Sequence, residues 1–162
     1  MSYGSGNFRN RPEFDEEATI QTRTVDGTDF LKGSEGFKMK LRKLILGFDK
    51  ENLPLNGQVW YPEGEGPFPL VLTVHGNHGM ADYSDPGYAY LGEHLASKGY
   101  IMVSVDENFL NGSMVGGLGN ENDCRGWILL EHLKLWHEWN QADSNMFYQK
   151  VDTNRIALIG HS

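Results

Sequence analysis

Three short apolar runs constrain this chain more than any other feature. Pro69-Leu70-Val71-Leu72-Thr73-Val74, Ile101-Met102-Val103-Ser104-Val105 and Arg155-Ile156-Ala157-Leu158-Ile159-Gly160 are nearly continuous in apolar residues rather than alternating with polar ones. A strand needs such a run when both of its faces are covered, as in a parallel sheet clothed by helices. Helical patterns fall between the runs. From Tyr88 to Lys98, apolar Tyr88, Leu91 and Leu95 recur at three and four positions, and Gly99 stands where a C-terminal cap would sit. From Asp123 to Asn140, Leu129, Leu133 and Trp136 form a stripe that Ile128, Leu135 and Trp139 broaden, a width suited to a helix lying on a sheet. Strand, helix, strand, helix, strand predicts an α/β fold with parallel strands joined by right-handed crossovers.

Upstream the pattern is different. Met39 to Leu46 alternates imperfectly and is expected as a strand; Gly57 to Tyr61 is expected as another, stopped by Pro62 and the Gly-rich turn Glu63 to Pro67. The two would form antiparallel first strands leading into the parallel sheet. Residues 1–37, rich in Gly, Asp, Glu, Thr and Arg, are expected as an irregular N-terminal arm, with Asp15-Glu16-Glu17 as a solvated turn. The domain proper is then 38–162.

Composition narrows the partners. With 22 acidic residues against 14 Lys and Arg, the formal charge is −8, which disfavours nucleic acid and anionic membrane as general partners. Aromatic residues at 12% and apolar residues at 39% argue against a disordered or fibrous chain. The single cysteine, Cys124, forms no internal disulfide and is expected as a packed thiol. No run has the length of a membrane span. The opening MSYGSGNFRNRPEF lacks the apolar stretch of a secretory leader, although a processed leader would leave the same appearance, so the compartment stays open.

In such sheets, ligands gather beyond the carboxyl ends of the strands. Two strand ends here carry chemistry. The run ending at Gly160 continues as His161-Ser162. Gly160 is suited to a sharp strand-to-helix turn, on which a serine hydroxyl would stand exposed. The run ending at Val74 continues as His75-Gly76-Asn77-His78-Gly79. Gly160-His161-Ser162 resembles the first part of the Gly-x-Ser-x-Gly nucleophile elbow of α/β-hydrolases, and His75-Gly76-Asn77 resembles the oxyanion loop of the same superfamily.

The resemblance extends from Gly57 to Ser162. Gly87 to Tyr100 followed by Ile101 to Asp106 is particularly similar to esterases related to dienelactone hydrolase, chlorophyllase and platelet-activating-factor acetylhydrolase. It implies a serine hydrolase of carboxylic esters, working through an acyl-enzyme without cofactor or metal. Ser162 would be the nucleophile and the backbone N–H of Asn77 an oxyanion donor. His75, Gly76, His78, Gly79, Gly160 and His161 would support them, His75 as a loop organiser rather than the base. The closing x-Gly and the catalytic Asp and His, which follow the serine in the family, are expected outside these 162 residues. The chain alone is therefore expected to be inactive, and a C-terminal segment of the same protein is the expected partner besides a small ester.

Other readings are weaker on chemical grounds. His94, His132 and His137 fall on expected helices, away from the strand ends. Asp106 is expected to cap the following loop. His75 and His78 with Asp82 or Asp85 lack a third ligand at suitable spacing for a metal. Gly116-Gly117-Leu118-Gly119 has no following Lys-Ser/Thr and matches no phosphate loop; it is expected as a mobile loop at the pocket mouth. Trp127, Trp136 and Trp139 are expected in the core or an interface. The remaining alternative is a catalytically incomplete fragment or α/β-hydrolase-like binding module whose unpaired strand edges need a partner.

Overall fold

The computed structural model describes residues 1–32, 36–112 and 121–161, with Lys38 described in its backbone only. The chain forms a mixed α/β structure: one six-stranded sheet flanked by helices. In chain order the elements are β1 (Ser2–Gly4), β2 (Ile20–Gln21), α1 (Phe37–Leu46), β3 (Asn56–Trp60), β4 (Phe68–Val74), α2 (Ala89–Ser97), β5 (Ile101–Asp106), α3 (Glu121–Gln141) and β6 (Val151–Gly160). The sheet order is β2-β1-β3-β5-β4-β6. The strand β5 pairs antiparallel with β3 and parallel with β4, and β4 also pairs parallel with β6.

Two of the three apolar runs do what their composition requires, whereas the third, in β6, is not covered on both faces: Ala157, Leu158, Ile159 and Gly160 are exposed, because among the described residues nothing packs over this edge strand. All six residues of β5 are buried, and Leu70, Val71, Leu72 and Thr73 of β4 are buried between its neighbours. The two crossover helices lie on opposite faces, as strand alternation on β3 shows. A Cβ on Gly92 of α2 would fall 2.2 Å from the Trp60 ring, so only glycine lets the helix come this close. Gly57, three residues earlier and therefore on the other face, lies under the ring of Tyr3, which packs edge-on against Trp136 and Trp139 of α3. Gly99, at φ +86°, ends α2 as expected of a C-terminal cap, its N–H donating to Ala96 O at 3.0 Å.

Two expectations need correction. Met39 to Leu46 is not a strand but most of α1, and its antiparallel pairing with β3 does not exist. Lys, Met, Leu and Arg are good helix formers, and this segment has a single β-branched residue, Ile45. Arg42 and Leu46 are buried and Met39 partly so, a three-and-four spacing that is the true period. Gly47, at φ +102°, then stops the helix. Besides β5, the antiparallel partner of β3 is β1, with Tyr3 opposite Gly57. Residues 1–37 thus contribute two short strands to the sheet, although most of their length is irregular.

The last strand begins earlier than its apolar run. Phe68 pairs with Val151 and Pro69 with Asp152, but Leu70 pairs with Ile156, so Thr153, Asn154 and Arg155 are looped out of register. Asp152 stabilises the irregularity by accepting from Asn154 N–H at 3.0 Å and Arg155 Nε at 2.6 Å. Among the described residues no helix is long and apolar enough to cross a membrane.

Candidate functional site

Because β4 and β6 are parallel neighbours, their carboxyl ends emerge side by side. Val74 is in register with Gly160, and His161 N–H donates to Val74 O at 3.3 Å. Beyond this pair opens a cleft of about 240 Å³, lined by His75, Asn77, Asn122, Arg125, Gly160 and His161. Both sequence motifs therefore border one space. Ser162 lies outside the described residues, as does the Gly116–Gly119 stretch within 113–120.

The loop after β4 is held by its own side chains. His75 is buried, and its two nitrogens are both committed: Nδ1 bonds Gly76 O at 3.0 Å and Nε2 bonds Glu107 N–H at 3.1 Å. A carbonyl accepts and an amide donates, so the proton sits on Nδ1 and the ring is neutral. Burial accordingly lowers the His75 pKa, with the Gly76 carbonyl acting in the opposite direction. An imidazole so occupied organises a loop. Asn77 is exposed, and its side chain ties the loop to two other segments: Nδ2 donates to Glu121 Oε1 at 3.1 Å, and Oδ1 accepts from Gly112 N–H at 3.2 Å.

Further along, the His78 ring centroid is 5.6 Å from that of His75. Its Nδ1 donates to Gly79 O at 3.1 Å, and Nε2 shares a hydrogen bond with Ser84 Oγ. Gly79 bridges to Gly112, and Met80 N–H donates to Gly112 O at 2.8 Å. A Cβ on Gly160 would meet nothing nearer than Val74 Cγ1 at 3.8 Å, so the described residues do not crowd this glycine.

The wall of the cleft contains an Arg–Glu hydrogen bond that no sequence motif marks. Arg125, near the start of α3, donates from Nη1 to Glu107 Oε2 at 3.1 Å and to His75 O at 3.4 Å, and from Nη2 to Asn111 Oδ1. Glu107 is fully buried, and burial pushes its carboxyl up to about 8 against the opposing pull of Arg125. Its other oxygen, Oε1, has no hydrogen-bond partner among the described residues. The one sequence signal for the pair is the run Asp106-Glu107-Asn108 at the carboxyl end of a buried strand, where consecutive polar groups must find partners.

A second buried network lies beneath the loops. Arg11, from the irregular arm, donates bidentately to Asp85 at 3.0 and 2.6 Å, to Asp106 at 3.2 Å and to Glu13 at 2.6 Å. Asn108 Nδ2 bridges Asp85 and Asp106, each at 2.7 Å. Asp106 also accepts from Asn108 N–H at 3.1 Å, which is the loop-capping role expected of it. Burial and crowding of the two carboxylates raise the Asp85 pKa to about 6 despite Arg11.

The remaining histidines stay on helices. His132 is buried in α3, shares a 2.6 Å hydrogen bond with Tyr3 OH, and is pushed down to about 3 by burial. Cys124 is buried, and desolvation raises its thiol to about 12. Trp136 and Trp139 are core residues; Trp127 is partly buried and stacks on Phe30 at 4.8 Å.

Thus His75, Asn77, Gly160 and His161 meet at the cleft, while His78 and Gly79 hold its outer loop. Among the described residues no group of three His, Cys, Asp or Glu side chains is disposed to hold a metal. No protein-family model matches the chain, and no curated protein shows significant similarity to it.

Proposed function

We propose that the intact protein is a serine hydrolase of carboxylic esters, of the α/β-hydrolase type, with Ser162 as nucleophile and the Asn77 N–H as one oxyanion donor. The observation that carries this reading is the parallel register of Val74 with Gly160, which brings the two loop motifs to one cleft. The antiparallel β1 and β3 leading into parallel strands also agree with the fold that the resemblance implies.

In the reaction, Ser162 Oγ attacks the ester carbonyl as its proton passes to a histidine base. Negative charge gathers on the carbonyl oxygen, and the Asn77 N–H donates to it. The base returns the proton to the departing alcohol, and water then releases the acyl group by the same route. His75 is not that base, because both of its nitrogens are engaged within the loop. The base and its orienting carboxylate would come from a C-terminal segment of the same protein. A fluorophosphonate probe tests the reading: full-length protein should be labelled at Ser162 and the Ser162→Ala variant should not. Absence of labelling in folded full-length protein overturns it.

A non-catalytic module that works through a partner is the second reading, and the edge strand favours it. Leu158 and Ile159, on opposite faces of β6, are 52% and 39% exposed. An apolar edge bare on both faces calls for further structure beside it. The same labelling experiment separates the two, since the module would fold without becoming reactive.

A further inference from the structure

We propose that Glu107 and Arg125 are positioning residues, whose paired side chains fix the loop that presents the Asn77 N–H to the substrate oxygen; the proposal rests on the esterase reading above. The loop is only useful for catalysis if that N–H points at the developing charge before the reaction begins, since donors must be oriented in advance to stabilise it. The backbone from His75 to Asn77 is restrained from three directions. Glu107 N–H holds the His75 ring at Nε2, Arg125 Nη1 holds the His75 carbonyl, and the Asn77 side chain is tied to Gly112 and Glu121.

Arg125 links these restraints. Its fork spans Glu107 Oε2, His75 O and Asn111 Oδ1 at once, joining the end of β5, the β4 loop and α3. A planar guanidinium can hold three acceptors in a fixed arrangement, whereas a lysine ammonium is a single point on a flexible stem. Glu107 in turn fixes the guanidinium from a fully buried position. Neither side chain need touch the substrate's reacting atoms. Their effect passes through the His75 backbone, so it belongs to the transition state rather than to substrate binding.

Arg125→Lys is the deciding variant, because it keeps a cation beside buried Glu107 while losing the fork. In full-length protein it should lower kcat roughly 10- to 100-fold with KM within about twofold, the size of effect that follows from misplacing an oxyanion donor. Glu107→Ala should act in the same direction. Glu107→Gln retains an acceptor for Nη1 and should restore kcat to within about threefold of wild type. Circular dichroism confirms that each variant is folded. An active wild type whose Arg125→Lys variant keeps its kcat, or loses only KM, overturns the positioning role and leaves the esterase reading standing. A folded full-length wild type that neither labels nor turns over ester overturns that reading, and the role with it.

Discussion

Arg11 and Asp85, 74 positions apart in the chain, form a bidentate ion pair in which both side chains are fully buried. The pair fastens the N-terminal arm to the segment that enters α2, directly beneath the loops of the cleft. Removing Arg11 leaves Asp85 and Asp106 facing each other without a cation, a state that costs far more than an exposed salt bridge would. Arg11→Ala should therefore destabilise the fold by about 3–5 kcal/mol, and Arg11→Ala with Asp85→Asn by less, because one uncompensated charge is gone. Urea denaturation of the single and double variants measures the difference.

Stability should fall as pH rises from 4.5 to about 8, because folded Glu107 keeps a proton there that the unfolded chain gives up. Its folded carboxyl stands near 8, above its ordinary value of 4.5. The folded state therefore holds a proton that the unfolded chain releases between these two limits. This contribution is complete below the unfolded value and lost as pH rises through about 8. Unfolding free energies measured across this range should show a downward slope in wild type that Glu107→Gln flattens. An unchanged slope in the variant would contradict the assignment.

On the acid side His132 sets the opposite slope. Burial lowers its folded pKa from 6.5 to about 3, so the unfolded chain takes up a proton that the native state refuses. Stability is then lost as pH falls from 6.5 towards 3. His132→Gln, which can still accept from Tyr3 OH but cannot titrate, should lessen the dependence by nearly one proton per molecule. Acid titration followed by near-ultraviolet circular dichroism would report it.

Gly92→Ala sets two effects against each other. Alanine favours a helix interior over glycine by about 1 kcal/mol. The added Cβ, however, would fall 2.2 Å from the Trp60 ring, whose bulk cannot move away without disturbing β3. Overpacking of this kind costs about 1–3 kcal/mol, so net destabilisation is the expected outcome in a thermal melt. Trp60→Leu should return part of the loss in the double variant.

The 162-residue chain by itself should self-associate through β6. Among the described residues no strand pairs with its outer edge, and Leu158 and Ile159 present apolar surface on both faces. Leu158→Lys should reduce the association seen by sedimentation velocity without lowering the melting temperature, since an exposed position contributes little to stability. In a longer chain that covers β6, the same substitution should destabilise.

Elements with strong local periodicity are legible in the amino-acid sequence itself. The runs ending at Val74 and Val105, and the helices around Leu91 and Leu133, carry their burial in their own composition, whereas the run ending at Gly160 forms its strand but stays exposed from Ala157 onward. Met39 to Leu46 misleads because a short amphipathic helix and an imperfect strand share many apolar positions; propensity, not alternation, decides it. The site divides similarly. His75, Asn77, Gly160 and His161 are legible as residues at strand ends, whereas Glu107 and Arg125 are not, because their pairing joins two separate elements.

Sequence alone therefore determined which segments need two covered faces and which loops follow them, since hydrophobic period is a local property. It did not determine that β1 would complete the sheet beside β3, or that Arg11 would lie under Asp85 and Asp106. Nor did it determine that the Glu107 N–H would donate to His75 and hold it neutral. Those outcomes depend on long-range partners. A buried charge or imidazole takes whatever state its neighbours stabilise, and only the tertiary fold brings those neighbours within hydrogen-bond reach.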